Sequence, residues 1–237
     1  MRAVILAGGK GTRLKPYTIT LPKPLVPVGD DMPILEIIIR QLRQVGFDHI
    51  TIAVNHMANL IMAFFGDGSR WDLKIDYSVE ESMLSTIGPL TLIEDLPDDF
   101  VVMNGDILCD LNYAEFYGYH LDQKNDVTVG VYQRSSKIDF GILKYDGDHV
   151  ITSFVEKPVY NFTVSMGVYC VNRRVIELLP KGEPYGFDNL MLDGLKNGSR
   201  IGVMPFAGYW LDLGRPEDFD TANENYDELK VRLALNK

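Results

Sequence analysis

Apolar and polar positions change period several times along the chain, and the changes predict alternating strands and helices. Ala3-Val4-Ile5-Leu6 is a continuous apolar run of the kind shown by a strand buried on both faces. Ile34, Leu35, Ile38, Leu42 and Val45 recur at helical spacing, with Gly46 as a stop. Residues 49–54, 73–77 and 100–103 predict strands, residues 57–65 a helix, and residues 89–96 a short helix. This βαβα order argues for an α/β fold, a mixed but mainly parallel sheet with helices on both faces. Beyond Leu121 the texture turns β-rich. Residues 127–132, 141–145, 150–154 and 163–171, joined by turns such as Asp146-Gly147-Asp148, predict a mixed extension of the sheet into a small lobe. Helices follow near 175–179 and 187–196, and 216–233 predicts one long amphipathic end. Asp218, Glu224, Asp227 and Glu228 are scattered along that end and read as a solvated face.

Composition narrows the classes. A chain of 237 residues with 46% hydrophobic and 24% charged residues suits one soluble domain, 1–237, with halves 1–121 and 122–237. No apolar stretch approaches the roughly 20 residues of a membrane span, and the N-terminus has no signal-peptide layout. Cys109 and Cys170, each in an apolar run, read as reduced core thiols, which fits the cytoplasm. A net charge of −10 argues against binding long nucleic acid. Yet Arg2, Lys10, Arg13, Lys15 and Lys23 crowd five of the 23 basic residues into the first 23 positions, which focuses positive potential locally. Arg2 and Lys15 within that set read as solvated surface charges.

The crowding coincides with glycines. The first strand runs into Gly8, Gly9 and Gly11, where the backbone can turn sharply and expose N–H groups to an anion. A P-loop, G-x-x-x-x-G-K-[ST], is excluded because Gly11 follows Lys10. A dinucleotide fingerprint is disfavoured because Leu14 stands where the third glycine belongs and the second strand ends in Asn55, not an acid. Asn104-Gly105-Asp106 closes another apolar strand, which places Asp106 where ligands of open α/β sheets bind. A turn-capping Asp is the plainer reading of that residue alone. None of the four histidines forms a catalytic or zinc-binding pattern.

Taken together, G-G-K-G-T-R-L at 8–14 and P-K-P at 22–24 resemble the signature of the sugar-1-phosphate nucleotidyltransferases, or nucleotide-sugar pyrophosphorylases. The resemblance runs through five stations: the loop, Asp106, Gly141 in D-F-G-I-L, E-K-P at 156–158, and W-L-D-L-G-R-P-E-D at 210–218. It implies a nucleotide-diphospho-sugar transferase fold with a sugar-side lobe. Nucleotide contacts would fall on Leu6, Ala7, Gly8, Gly9, Gly11, Thr12, Arg13, Lys23, Glu80, Thr86, Gly88, Asn104 and Gly105. The sugar phosphate would meet Gly141, Glu156, Lys157, Ser165 and Gly167. Asp106 and Asp212 would carry Mg2+, and Arg13, Lys23 and both aspartates would be the catalytic set. Trp210 is read as a core aromatic.

The implied reaction joins an NTP and a sugar 1-phosphate and releases pyrophosphate. Its partners are therefore small molecules, with no nucleic acid and no membrane, and homo-oligomerisation stays open. By overall look the chain resembles short bacterial enzymes that use GTP with mannose- or heptose-type 1-phosphates. The chain is expected to lack the β-helical or acyltransferase extension of some relatives. Where relatives usually read E-x-x-P-L-G-T-A-G, this chain has Met83, Ser85 and Ile87 in place of proline, glycine and alanine. Ser165 replaces an asparagine. The bulkier residues at 85 and 87 are expected to narrow or reshape the base pocket, so UTP or dTTP with glucose-type or amino sugars stays open. So do a cytidylyltransferase for phosphocholine and a non-catalytic sugar-nucleotide sensor.

Overall fold

The computed structural model describes residues 1–29, 32–233 and 235. Its centre is a seven-stranded sheet. In chain order the first half supplies β1 (Arg2–Leu6), the short pair β2 (Pro27–Val28) and β3 (Met32–Pro33), α1 (Ile34–Gln44), β4 (His49–Val54), α2 (Ala58–Phe65), β5 (Lys74–Val79), β6 (Asp99–Asn104), β7 (Ile107–Cys109) and α3 (Tyr113–Gln123). The second half adds β8 (Val127–Lys137), β9 (Ile142–Tyr145), β10 (Ile151–Val155), β11 (Val159–Asn172), α4 (Arg173–Glu177), α5 (Phe187–Asn197), β12 (Ile201–Phe206), β13 (Trp210–Asp212), α6 (Pro216–Glu224) and α7 (Tyr226–Arg232). The sheet order is β12-β8-β11-β6-β1-β4-β5. Only β11 runs antiparallel to its neighbours β6 and β8; the other pairings are parallel.

Alternation along the central strands explains their nearly continuous apolar sequences. Ala3 and Ile5, Val101 and Met103, and Val168 and Cys170 join one buried cluster, which helices α1, α2, α3, α6 and α7 help to form. Val4, Phe100 and Val102, and Tyr169 and Val171 face a second cluster that includes Ile176 of α4 and Leu190 of α5. Each strand therefore feeds two cores, as a sheet covered on both faces requires. Cys109 and Cys170 are free and buried, as expected.

Several expectations need correction. Residues 127–132 and 163–171 do extend the sheet, but they lie within it and not in the lobe: the inner halves of β8 and β11 are buried central strands. Their outer halves, with the separate β9–β10 ribbon, form the exposed lobe. The expected helix at 89–96 is a 3-10 turn over Gly88–Leu92, and the long final helix breaks at Asn225 into α6 and α7. Arg2 is not a solvated charge. It is 6% exposed and donates to Thr51 Oγ1 and to Asp95.

Besides the short strands β2, β3, β7 and β13, two longer elements were not anticipated, α3 and β12. Asn112 caps α3 by accepting from the N–H groups of Ala114 and Glu115 at 3.1 and 3.3 Å. Its Tyr113 and Phe116 are fully buried. Removing the cap exposes two orphan donors at the helix start. Asn112→Ala should therefore cost about 1 kcal/mol. A thermal melt should show a lower midpoint with the transition still cooperative.

Candidate active site

Parallel pairing assembles the site. β1 and β6 lie in register, with Leu6 opposite Asn104, so the glycine loop and the Asn104-Gly105-Asp106 turn leave the sheet at one edge. Gly105 donates its N–H to the Leu6 carbonyl at 2.9 Å, and a Cβ there would lie 3.0 Å from that oxygen. This close approach explains the glycine between Asn104 and Asp106. The antiparallel pair β7–β13 then sets Asp212 opposite Ile107, next to Asp106 in the chain. The Leu213 N–H donates to the Asp106 carbonyl at 3.0 Å and fastens the two turns together.

Four charged side chains converge there. Lys23 Nζ is ion-paired with Asp106 Oδ2, and both side chains are largely covered. Arg13 and Asp212 flank Gly214, where a Cβ would come within 3.3 Å of the guanidinium and 3.2 Å of the carboxylate. Burial pushes the Asp212 carboxyl above its ordinary range, and the charge of Asp106 pushes it further; Lys23 and Arg13 oppose this. Asp212 thus holds its charge less readily than an exposed aspartate does. Among the described residues no group of three or more His, Cys, Asp or Glu converges. Two carboxylates are a fitting donor set for Mg2+, which takes one or two from the protein and completes its shell with phosphate oxygens and water.

The glycine loop behaves as an anion cradle. Among the described residues, the N–H groups of Gly8, Gly9, Lys10 and Gly11 donate to no backbone or side-chain acceptor. Gly11 has φ +60°, and a Cβ would press on Thr18 at 2.9 Å, so both conformation and space call for glycine. Thr18 donates to the Gly11 carbonyl at 2.7 Å and holds the turn. Thr12 and Arg13 are exposed, while Ala7 is buried with its N–H committed to Ala53.

Cavities flank the cluster. One of about 310 Å³ is lined by Leu6, Gly8, Gly9, Glu80, Met83, Leu84, Ser85, Thr86, Pro89, Asn104 and Asp106. Glu80 is only 8% exposed, accepts from the Leu84 N–H at 3.2 Å, and is raised above its ordinary pKa by burial. Ser85 sits at φ +65°, the left-handed region that glycine adopts without strain, at the position where the family resemblance expects glycine. The expectation for Ile87 is corrected: it is fully buried in the second core and lines no part of this cavity. Gly88 is buried against the Glu183 carbonyl, and Thr86 accepts from the Phe187 N–H at 2.8 Å. Both glycine and threonine here knit the pocket wall to the start of α5.

A second cavity, about 250 Å³, lies between Asn104, Arg134, Val164, Ser165, Gly167, Trp210 and Asp212, among others. Gly167, at φ +74°, leaves room for Asn104, whose amide nitrogen would be 2.7 Å from a Cβ. Ser165 Oγ accepts from the Gly167 N–H at 3.2 Å across a bulge in the β8–β11 pairing. Trp210 packs against the first core, as expected, and also walls this cavity: it is half-buried, with Nε1 donating to the Met166 carbonyl at 2.9 Å. Glu156 and Lys157 lie together on the exposed lobe, 3.9 Å apart, with Glu156 beside Gly141. Neither lines the cavities next to Asp212. Met83 lines the base cavity, as its stretch was expected to; Arg134 and Arg215 line cavities and were not among the expected site residues.

Comparison with known proteins agrees with this geometry. The nucleotidyl transferase family model matches residues 2–228. The chain is 33% identical over 226 residues to the mannose-1-phosphate guanylyltransferase catalytic subunit beta of Dictyostelium discoideum, covering 92% of this chain. It is 35% identical over 232 residues to a mannose-1-phosphate guanyltransferase of Aspergillus oryzae, again covering 92%. The chain spans 62% of the length of each of these relatives. In structure it resembles HddC from Yersinia pseudotuberculosis, with a TM-score of 0.73, 29% identity, and 95% and 99% of the two chains covered. The same protein complexed with GMP-PN gives a TM-score of 0.72. The mixed sheet, the two cores and the strand-end cluster are those of a member of the nucleotidyl transferase family.

Proposed function

We propose that this chain is a sugar-1-phosphate nucleotidyltransferase of the cytoplasm, working as one unit over 1–237. The observation that carries the reading is the convergence of Lys23, Asp106, Asp212 and Arg13 beside the unpaired N–H groups of Gly8–Gly11. The glycine backbone and Arg13 hold the β- and γ-phosphates of an NTP, as oriented N–H groups and a guanidinium do for phosphates elsewhere. Lys23 meets the α-phosphate. A phosphate oxygen of the sugar 1-phosphate attacks the α-phosphorus, the bond to the β-phosphate oxygen breaks, and pyrophosphate leaves. The attacking group is already an anion, so no protein nucleophile or general base is required; positioning and charge neutralisation suffice. Asp106 and Asp212 would hold Mg2+, whose charge would offset that of the phosphates.

The base pocket favours guanine. A carboxylate accepts hydrogen bonds only, and guanine offers adjacent N1–H and N2–H donors, whereas uracil and thymine flank a single N–H with acceptors. Glu80 supplies that carboxylate between the apolar walls of Leu84 and Pro89. With the mannose-1-phosphate guanylyltransferase names of the relatives, this supports GTP with a mannose- or heptose-type 1-phosphate. A panel of NTPs against sugar 1-phosphates, read by pyrophosphate release, tests the proposal. Release should be fastest with GTP and a mannose-type acceptor. No release from any pair would overturn the reaction class, and a preference for UTP or dTTP with glucose 1-phosphate would overturn the substrate assignment.

Two variant sets extend the test. Asp106→Asn and Asp212→Asn should each lower turnover at least a hundredfold while keeping the fold, judged by circular dichroism. Because the folded state raises the Asp212 pKa, it retains the proton more tightly than the unfolded chain does. Its contribution to stability falls as pH rises through that window. Asp212→Asn should therefore melt no lower than wild type at pH 8. Glu80→Gln should weaken guanine nucleotide binding about ten- to a hundredfold, by loss of a charge-assisted bond. In wild type, GTP affinity should fall on acidification at a pH above the ordinary glutamate range, and Glu80→Gln should remove that dependence.

A further inference from the structure

We infer that Arg134 binds the phosphate of the acceptor sugar 1-phosphate and holds it against the Asp212 side of the site; the inference rests on the reaction proposed above. The outer half of β8 carries Tyr132 and Arg134 on one face, two residues apart. The Tyr132 ring centroid lies 5.3 Å from that of Trp210, and the Arg134 guanidinium sits over the same indole at 5.6 Å. Trp210 and Asp212 are in turn two residues apart on β13 and share its face. The stack therefore carries the guanidinium to the side of the strand that presents the Asp212 carboxylate.

Arg134 and Asp212 line two cavities in common. One is the 250 Å³ chamber with Ser165 and Gly167. The other, of about 410 Å³, adds Arg13, Gly214 and Arg215. Arg134 thus stands on the wall between the chamber sized for a sugar and the space beside the triphosphate cradle. Among the described residues no carboxylate lies within ion-pair distance of it. An arginine held flat by an aromatic face, with its donors unspent, is preorganised for bidentate contact with a phosphate. Lys157, to which the family resemblance gives this contact, is 54% exposed on the lobe and lines neither cavity.

Steady-state kinetics on the full chain with GTP and mannose 1-phosphate, for wild type, Arg134→Ala, Arg134→Lys and Lys157→Ala, test the assignment. Saturation-transfer NMR of mannose 1-phosphate binding, with mannose as control, reads the same contact without turnover. Arg134→Ala should raise the KM for mannose 1-phosphate about ten- to a hundredfold and leave the KM for GTP within about twofold. It should also abolish the NMR response that distinguishes the phosphorylated sugar from mannose. Arg134→Lys should recover part of both, and Lys157→Ala should shift the acceptor KM less than Arg134→Ala does. Arg134 is exposed and, among the described residues, makes no ion pair, so its loss should lower the melting midpoint by no more than an exposed stack on Trp210 contributes. An unchanged acceptor KM, or an equal rise for both substrates, overturns the assignment. A wild-type chain without turnover overturns the underlying reading instead, and the NMR comparison of wild type and Arg134→Ala then decides the role of Arg134.

Discussion

Everything proposed for this molecule depends on two carboxylates held side by side where buried strands end. Like charges resist such closeness, and partial burial makes the resistance stronger. Burial first and the Asp106 charge second hold the Asp212 carboxyl above its ordinary range. The fold contains the resistance by placing Lys23 on Asp106 and Arg13 beside Gly214, so each acid has a cation nearby. The arrangement costs stability, and such a cost is expected where pKa-perturbed groups serve chemistry. Asp106 and Asp212 would be relieved of it by holding a divalent cation.

The sheet makes the arrangement possible through backbone contacts more than through side-chain ones. Parallel register of β1 with β6 brings the glycine loop to Asp106, and the β7–β13 pair brings Asp212 from more than a hundred residues away. The glycines at 11, 105 and 167 sit where a side chain would collide or the backbone would be strained. Asn104 links the two halves of the site, since it lines both the base cavity and the chamber by Trp210. A shift in any of these turns would move a charge, not merely loosen a contact.

Much of this was legible in the amino-acid order, and the reasons are local. β1 and β6 are continuous apolar runs because both faces are buried, and α1 is marked by the spacing of Ile34, Leu35, Ile38 and Leu42 even though Glu36, Ile37, Ile39 and Gln41 are buried as well. Motif spacing separated this loop from other phosphate loops. What was missed depends on long-range contact. Helix α3 opens with Asn112 and Glu115, a readable cap, but its apolar residues are tyrosines and a phenylalanine mixed with polar neighbours. Arg2 resembled a surface charge until Thr51 and Asp95 met it from β4 and the turn before β6. Arg134 sits in an unremarkable Gln-Arg-Ser-Ser stretch, and only the pairing of β8 with β11 and the arrival of Trp210 give it a place.

The central claim is direct displacement at the α-phosphorus, with the cluster positioning two anions and no group of the protein entering the bond changes. Stereochemistry tests this most directly. GTP made chiral at its α-phosphorus by sulfur substitution would be turned over with mannose 1-phosphate, and the configuration of the product read by 31P NMR. A single in-line displacement predicts inversion. Retention would require a covalent nucleotidyl-protein intermediate and would contradict the account.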